Sequence, residues 1–422
     1  MPITLGCIAD DFTGATDLAN MLVKGGLKTI QLLGIPNQKD VDPSVEAVVI
    51  ALKTRTIPVR EAVSQSLQAL SWLKAVGTER FFFKYCSTFD STDEGNIGPV
   101  IDAFMADLEA SFTIACPAFP ETGRTIFKGH LFVGDKLLSD SPMRNHPLTP
   151  MTDSNLVSIL SRQSSLKVGL VQYQDVSGGA PKIKGAFNEL KREDVSIAVT
   201  DVLNDEHLHF LGEAVKEFKL ITGGSGIALG LPYHWKSGNG SKEGMTADQL
   251  PEVSGKELVL SGSCSEMTRA QVDEFSKNNR ALKLNPIELA KDASALNKAI
   301  DWVIKAEIGR PILVYASAPP DTVKEIQQTL GQDLASSTVE NAMAKIASEA
   351  VKNGFRRIVV AGGETSGAVV SKLGINSILI GKEIDPGVPA TVSVGTPIIS
   401  LVLKSGNFGS VDFFEKAFKQ MP

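Results

Sequence analysis

Paired glycines and hydroxyl side chains follow a strand-like segment near the carboxyl end of the sequence, a combination that suits phosphate binding. The apolar segment Ile358-Val359-Val360-Ala361 leads directly into Gly362-Gly363-Glu364-Thr365-Ser366-Gly367. Thr365 and Ser366 stand where a helix N-cap is expected, before apolar residues at helical spacing. A strand, a tight turn and a helix in this order present free backbone N–H groups at the positive end of a helix dipole. An isolated glycine pair also fits a sharp turn that binds nothing.

Two further turns of the same kind lie in this half of the chain. Ser261-Gly262-Ser263-Cys264-Ser265 and Ser405-Gly406-Asn407-Phe408-Gly409-Ser410 each follow a strand-like segment. Three such turns in one parallel sheet can converge on a single polyanionic ligand, which favours a nucleotide. The sequence has no G-x-x-x-x-G-K-[ST] motif, and its glycines at 224, 226 and 230 miss the dinucleotide spacing by one. The predicted nucleotide site is therefore neither a phosphate loop of the G-x-x-x-x-G-K-[ST] type nor a dinucleotide-binding loop.

Asp10 and Asp11 are the carboxylates best placed for catalysis. They follow the strand-like residues 4–9 and precede a helix predicted by the apolar spacing of residues 15–22, with Thr13 as its N-cap. Ligands of open α/β sheets lie beyond the carboxyl ends of the strands. We therefore predict that at least one of the two binds substrate or acts as a base. The alternative is that one of them only caps the helix.

A polar segment follows the strand-like residues 80–85. It reads Cys86-Ser87-Thr88-Phe89-Asp90-Ser91-Thr92 and carries five hydroxyl or carboxylate groups. So many polar groups at the end of a strand predict hydrogen bonding to a polyhydroxy substrate.

Cations near strand ends are candidates for holding an anionic substrate. Arg55 follows the strand-like residues 47–52, although a solvated loop is the default interpretation there. Arg124 lies in a proline-stiffened loop, and its planar guanidinium suits bidentate binding of a carboxylate. His130 is the best placed of the five histidines, but a single His beside an apolar strand is more often structural.

These groups must be positioned by strands and helices that alternate along the chain. The alternation predicts an α/β protein of two domains, each with a mainly parallel sheet flanked by helices. The polar, glycine-rich residues 236–244 interrupt the pattern. We therefore predict domains at 1–232 and 256–422, joined by a linker or loop at 233–255. In the second domain, Thr338 is the expected cap of a long helix.

Composition excludes several classes of protein. The chain has 422 residues and a net charge of -6 with no basic stripe, which argues against a nucleic-acid partner. Its four cysteines are scattered without metal-ligand spacing. No basic leader and no bilayer-spanning apolar run are evident, so no membrane partner and a cytoplasmic location are expected. A homo-oligomer remains open.

Five separated motifs, in this order, resemble the four-carbon acid sugar kinase family. They are Asp10-Asp11-Phe12-Thr13-Gly14-Ala15, the segment 84–96, Pro117-Ala118-Phe119-Pro120-Glu121-Thr122-Gly123-Arg124-Thr125, Ser261-Gly262-Ser263, and Ala361-Gly362-Gly363-Glu364-Thr365-Ser366-Gly367. The resemblance runs from the first strand to the last loop. Within the family, residues 86–92 resemble the 3-oxo-tetronate kinase branch, since other branches tend to differ there.

The resemblance implies a sugar-acid-binding first domain, an ATP-binding second domain and an active site in the cleft between them. The implied reaction transfers a phosphoryl group from ATP to the 4-hydroxyl of a four-carbon acid. A 3-oxo-tetronate is the first candidate substrate, and L-threonate, D-erythronate and a 2-oxo-tetronate are the alternatives. The implied ATP-binding residues are Ser261, Gly262, Ser263, Gly362, Gly363, Glu364, Thr365 and Gly406.

The remaining roles are hypotheses drawn from the chemistry of phosphoryl transfer. Mg²⁺ would bridge phosphate oxygens, with no protein ligand assigned to it. Asp11 is preferred slightly over Asp10 as the base. Glu364 would order magnesium-bound water or hold the ribose. The residues assigned to the sugar acid are Arg55 and Arg124 for its carboxylate, Ser87, Asp90 and Ser91 for its oxygens, and Lys84 for neutralising charge.

Two other functional classes are weighed against a kinase. A non-catalytic nucleotide sensor would use the same cleft, but Asp10, Asp11 and Arg124 argue against it. A dinucleotide oxidoreductase is disfavoured by the glycine spacing.

Overall fold

The chain divides into two compact units, Met1–Asp248 and Gln249–Pro422. The computed structural model describes residues 3–36, 41–42, 44–146, 148–231, 235 and 247–422. Of the linker predicted at 233–255, residues 233–234 and 236–246 therefore lie outside the described residues. Among the helices described, none combines the length and the apolar character that crossing a membrane requires.

The first unit is built on a parallel sheet with a small antiparallel sheet beside it. Its strands are β1 Leu5–Ala9, β2 Thr29–Leu33, β3 Ala47–Ala51, β4 Phe81–Lys84, β5 Thr113–Cys116, β6 Arg124–Phe127, β7 His130–Val133, β8 Lys136–Leu137, β9 Val168–Val171, β10 Ile197–Thr200 and β11 Leu220–Gly223. The parallel order is β2-β3-β1-β4-β11-β5-β10-β9, and β6, β7 and β8 form the antiparallel sheet. β1 thus lies centrally, between β3 and β4.

Helices cover the faces of this sheet. They are Phe12–Lys24, Val59–Ala75, Ile97–Asp107, Leu156–Gln163, Tyr173–Val176, Ala180–Arg192 and Asp205–Val215, with 3₁₀ turns at Pro120–Thr122, Leu138–Asp140, Pro142–Asn145 and Gly226–Leu229. β1 and β3 are wholly buried because helices pack on both faces of a parallel sheet. In the helix Phe12–Lys24 the predicted apolar positions Ala15, Leu18, Ala19 and Leu22 are all buried.

The second unit has its own mainly parallel sheet. Its strands are β12 Lys256–Ser261, β13 Arg280–Lys283, β14 Ile312–Tyr315, β15 Phe355–Ala361, β16 Ser377–Asp385, β17 Val388–Ser393 and β18 Ser400–Lys404. The order is β13-β14-β12-β15-β18-β17-β16, and only the pairings of β17 with its two neighbours are antiparallel. Its helices are Glu266–Ser276, Pro286–Lys291, Ala293–Ile304, Pro320–Leu330, Gln332–Lys352, Gly363–Lys372 and Phe413–Gln420. The predicted α/β class is confirmed.

Three of the predicted N-caps are wrong, although the helices that they were expected to begin are present. Asp11, not Thr13, caps the first helix, because its carboxylate accepts the Gly14 N–H. Thr338 lies inside Gln332–Lys352, whose polar first turns give no apolar periodicity. The helix Gly363–Lys372 has Gly362 at its N-cap and no side-chain cap, so Thr365 lies in its first turn instead.

Candidate active site

The candidate catalytic side chains of the first unit lie beyond the carboxyl ends of three neighbouring strands. Asp10 directly follows β1, Arg55 lies in the loop after β3, and Lys84 is the last residue of β4. The Thr54 N–H donates to the Asp10 carbonyl at 2.9 Å, which ties the loop after β3 to the end of β1. Residues that are distant in sequence therefore meet at one edge of the sheet.

One guanidinium holds three carboxylates together at this edge. Arg55 donates from Nε and Nη2 to the two oxygens of Asp10, both at 2.9 Å. Nη2 also donates to Asp11 Oδ1 at 2.7 Å, and Nη1 lies 3.4 Å from Asp90 Oδ2. The bidentate pair with Asp10 is the strong form of this interaction. Arg55 is therefore engaged by the protein itself, whereas the sequence predicted that it binds the substrate carboxylate.

The two adjacent aspartates have pKa values displaced in opposite directions. Burial raises the pKa of Asp10, against the opposing effect of Arg55. Burial also acts on Asp11, but Lys84, Arg55 and the Gly14 N–H together lower its pKa. The Asp11 side chain is 29% exposed and that of Asp10 is 7% exposed. Asp11 is thus an accessible carboxylate that stays ionised, which is what a base for a substrate hydroxyl requires.

Lys84 brings a buried ammonium to the start of the first helix. Its side chain is only 4% exposed, and Nζ lies 3.9 Å from Asp11 Oδ1. A Cβ on Gly14 would overlap Nζ, so the ammonium packs directly against the first turn of Phe12–Lys24. A cation beside the positive end of a helix dipole forms a site for an anion.

The polar segment after β4 is held in a strained conformation. Phe89 and Asp90 have φ values of 64° and 29°, the left-handed region that side chains other than glycine rarely adopt. Thr88 Oγ1 donates to Asp90 Oδ1 at 2.6 Å and so keeps that carboxylate turned toward Arg55. Burial raises the pKa of Cys86 to about 11, so its thiol stays protonated. Ser87 is half-buried.

Asn96 and Gln163 position this segment and the Arg55 loop. Asn96 Nδ2 donates to the carbonyls of Thr54 at 2.7 Å and Ile57 at 2.9 Å, on either side of Arg55. Gln163 Nε2 donates to Ser91 Oγ at 2.9 Å. The role of Gln163 is not visible in the sequence, because nothing in its helix indicates a partner so distant along the chain.

Arg124 and His130 lie outside this network of hydrogen bonds. Arg124 donates from Nη1 to the Thr122 carbonyl, and its Nε is buried without a partner among the described residues. No ion pair joins it to the aspartates described above, so its proposed contact with the substrate stays a prediction. His130 Nδ1 lies 3.0 Å from Ser154 Oγ, consistent with the structural role that was expected.

The three small-residue turns of the second unit begin in one row. Ser261 of β12 pairs with Ala361 of β15, and Ala361 pairs with Lys404 of β18, so the strands end level. A Cβ on Gly262 would overlap Thr365 Oγ1, and one on Gly406 would lie 2.5 Å from Ser263 Oγ. The turns pack against one another and need glycine for that reason. The three predicted turns therefore lie side by side in the structure, and their contact with one anionic ligand stays a prediction.

The helix that starts at this corner leaves its first N–H groups without a side-chain partner. Gly362 has a φ of 124° and no side chain caps Gly363–Lys372. Its first-turn amides, at Gly363 and Glu364, point out of the helix end where an anion can accept from them. The absence of a capping side chain is what a phosphate site needs.

An apolar pocket opens beside the same corner. Its empty space, which includes part of the open solvent at its entrance, is about 580 Å³, and its lining includes Gly262, Glu364 and Thr365. Most of the other lining residues are apolar, namely Cys264, Pro286, Ala316, Ala318, Val323, Ile326, Ala335 and Val339, and the remaining ones are the polar Gln327, Ser336 and Glu340. An apolar slot with a few polar groups next to a phosphate corner fits a nucleobase and ribose. The sequence does not single out these residues, because a helix face that lines a pocket has the same pattern as one that packs in a core.

The described residues contain no group of three or more His, Cys, Asp or Glu side chains that could hold a metal ion. Magnesium needs only one or two carboxylates when phosphate oxygens and waters complete its shell. Glu364, which lines the pocket, supplies one carboxylate of that kind.

Comparisons with known proteins match both units. A family model described as a sugar-binding N-terminal domain matches residues 5–231, and one described as a nucleotide-binding C-terminal domain matches residues 258–414. The 3-oxo-tetronate kinase of Burkholderia multivorans is 51% identical over 417 residues, covering 99% of this chain and 97% of that protein. The 3-oxo-tetronate kinase of Pseudomonas savastanoi pv. phaseolicola is 52% identical over 419 residues, with the same coverage.

Solved structures show the same fold over the whole chain. A Salmonella typhimurium LT2 protein superposes with a TM-score of 0.93 at 40% identity, covering 100% of both chains. A Haemophilus influenzae protein superposes with a TM-score of 0.87 at 45% identity, covering 99% of this chain and 100% of that one.

Proposed function

This chain belongs to the four-carbon acid sugar kinase family, and we propose that it transfers the γ-phosphoryl group of ATP to the 4-hydroxyl of a 3-oxo-tetronate. Full-length relatives that are about half identical to it carry the name 3-oxo-tetronate kinase. The structural observation that carries the proposal is the corner formed by three glycine turns, where an uncapped helix meets an apolar pocket. The enzyme is a sugar-acid kinase that uses ATP.

We assign the sugar acid to the domain at 1–232 and ATP to the domain at 256–422. The aspartate and lysine cluster of the first unit supports the former, and the glycine corner of the second supports the latter. The matched family models, described as sugar-binding and nucleotide-binding, agree with this division.

The nucleotide is held mainly by backbone groups. The amides of Gly363 and Glu364 donate to phosphate oxygens, and the close packing of Gly262 and Gly406 keeps that space open. Ser261, Ser263, Gly362 and Thr365 form the walls of the corner. Magnesium, when bound, neutralises charge on the phosphate oxygens, and Glu364 would hold it through water. Adenine and ribose enter the apolar pocket beside them.

Asp11 accepts the proton of the substrate hydroxyl. The hydroxyl oxygen then forms a bond to the γ-phosphorus while the bond from that phosphorus to ADP breaks. Asp10 and Arg55 hold Asp11 in place through the 2.7 Å bond between Arg55 Nη2 and Asp11 Oδ1. Because Arg55 is already bound to aspartates, the binding of anionic charge falls to Lys84 and the first turn of Phe12–Lys24.

Asp90, Ser87 and Ser91 bind the hydroxyl and keto oxygens of the acid. The left-handed backbone at Phe89 and Asp90 presents this segment in one conformation, which suits selection between similar acids. Arg124, whose Nε lacks a partner among the described residues, is kept as a candidate for the substrate carboxylate.

An ADP-release assay with the purified full chain tests the proposal. The assay compares a 3-oxo-tetronate, a 2-oxo-tetronate, L-threonate and D-erythronate with ATP and magnesium. The highest kcat/KM is expected for the 3-oxo-tetronate. A higher value for another acid would make that acid the substrate, and ATP binding without turnover on any acid would contradict kinase activity.

The four cysteines are unpaired, in keeping with the predicted cytoplasmic location.

A further inference from the structure

Lys404, the last residue of β18, is a buried cation that the reaction described above does not use. Only 1% of its surface is exposed. Nζ lies 3.1 Å from Thr268 Oγ1 and 3.2 Å from the carbonyl oxygen of Gly406. No carboxylate among the described residues forms an ion pair with it. Burial lowers the pKa of this lysine to about 8. A buried ammonium without a counter-ion destabilises a fold, so a purely structural role explains it poorly.

The Gly406 carbonyl is the common target of three donors. Ser265 Oγ and Thr268 Oγ1 each donate to it at 2.6 Å, and Lys404 Nζ completes the set. A carbonyl oxygen has two lone pairs, so three donors saturate it and fix its direction toward the protein interior.

This direction determines where the next amide points. The only cis peptide bond among the described residues is Thr396-Pro397, so the peptide that joins Gly406 to Asn407 is trans. In a planar trans peptide the C=O and N–H groups point in opposite directions. Because the Gly406 carbonyl faces inward, the Asn407 N–H faces away from Lys404. Within the described residues, that N–H makes no backbone hydrogen bond.

The outward amide belongs to the glycine corner. Gly406 packs against Ser263, so the peptide plane lies beside the turn after β12. Ser263 Oγ in turn lies 3.3 Å from Ser265 Oγ, one of the three donors.

We propose that Lys404, together with Thr268, is a positioning residue that locks the peptide between Gly406 and Asn407 so that the Asn407 N–H donates to a phosphate of the nucleotide. This proposal rests on the proposed function, because it takes ATP as the ligand of the corner. It adds the turn after β18 to the phosphate contacts at Gly363 and Glu364.

The test compares Lys404→Met and Thr268→Val with the wild-type chain. Both changes keep the volume of the side chain and remove donors to the Gly406 carbonyl. Lys352→Met, on an exposed face of Gln332–Lys352, is the matched lysine control. Isothermal titration gives the Kd for ATP, steady-state kinetics give KM for each substrate, and thermal unfolding gives Tm at pH 7.5.

We expect the Kd and KM for ATP to rise about tenfold in Lys404→Met and several-fold in Thr268→Val, the scale of one lost hydrogen bond to a charged group. KM for the acid stays unchanged, and Tm of Lys404→Met is not lowered. An unchanged Kd for ATP in both variants overturns the positioning role. A fall in Tm with parallel losses for both substrates overturns it as well, because that pattern reports a structural residue. If the wild-type chain itself fails to bind ATP, the proposed function fails instead.

Discussion

Gly14 has no side chain at the point where the ammonium of Lys84 lies, and a Cβ there would overlap Nζ. The first turn of Phe12–Lys24 and the end of β4 are therefore fitted to each other through one missing methyl group. The two residues are far apart in sequence, and we propose that the pair marks where an anion binds in the first unit.

Gly14→Ala should displace both the Lys84 ammonium and the Asp11 carboxylate, which a Cβ would overlap, and so impair the sugar-acid site. We expect kcat/KM for the acid to fall about tenfold or more, on the scale of a displaced charge-assisted contact, while the Kd for ATP is unchanged. Gly185→Ala is the matched control, because a Cβ at Gly185 meets nothing within 4 Å. Steady-state kinetics and ATP titration check the result. A selective loss of ATP affinity in Gly14→Ala would contradict the assignment of Lys84 to the acid.

Asp11→Asn and Asp10→Asn should differ in kind. Loss of the base in Asp11→Asn is expected to lower kcat by a factor of about 10² to 10⁴ with ATP affinity retained. Asp10→Asn removes the bidentate partner of Arg55 and should lower the free energy of unfolding by about 3 kcal/mol. Single-turnover kinetics and urea unfolding separate the two effects. Wild-type kcat in Asp11→Asn would place the base elsewhere.

Gly262→Ala should weaken ATP binding through a collision with Thr365. The added methyl group would overlap Thr365 Oγ1 at the corner, so the first turn of Gly363–Lys372 must shift. We expect KM for ATP to rise about tenfold, as for the loss of one or two backbone contacts to phosphate. The double variant Gly262→Ala/Thr365→Ala removes the collision and should lose less than the sum of the single variants. Strict additivity of the ATP affinities would refute the collision as the cause.

Ala335→Phe should fill the apolar pocket without touching the acid site. Ala335 lines the pocket from Gln332–Lys352, and a phenyl ring there occupies space assigned to adenine. We expect the Kd for ATP to rise at least about tenfold, since the base loses most of its buried contact area. KM for the acid is expected to stay within about twofold at saturating ATP. Unaltered ATP affinity would show that the base binds outside this pocket.

Local patterns in the sequence predicted the strands, most helices and the three turns, because each depends on neighbours a few residues apart. Level strand ends then follow from parallel pairing, which is why the convergence of Ser261, Ala361 and Lys404 could be foreseen. The role of Arg55 could not be foreseen, since its bonds to Asp10 and Asp90 join residues far apart in sequence. The pocket and the three hydrogen bonds that the Gly406 carbonyl accepts could not be foreseen either, because they also join residues far apart in sequence. The strands β16 and β17 were not predicted, and only the turn that joins them, Asp385-Pro386-Gly387, is indicated by the sequence composition.

Lys404→Met should change stability in a way that depends on pH. Burial lowers the pKa of Lys404 from 10.5 to about 8, so the unfolded chain binds the proton more tightly than the folded chain. Below about pH 8 the buried Lys404 ammonium is charged, and its burial lowers the stability of the folded wild type by about 3 kcal/mol. This cost disappears as the pH rises toward the pKa of lysine in the unfolded chain. Methionine removes the penalty but also two hydrogen bonds worth about 1 kcal/mol each.

The variant is therefore expected to be about 1 kcal/mol more stable than the wild type at pH 7, and less stable near pH 10, where neutral Lys404 still donates its hydrogen bonds. Urea unfolding at the two pH values measures this crossover. Lys352→Met is the control, and its free energy of unfolding relative to the wild type should not change sign between the two pH values. A Lys404→Met chain that is less stable than the wild type at both pH values would mean that Lys404 is paired with an anion in the folded state. The lysine would then stabilise the fold, and this stabilisation alone would explain its position beside Gly406 without a role in nucleotide binding.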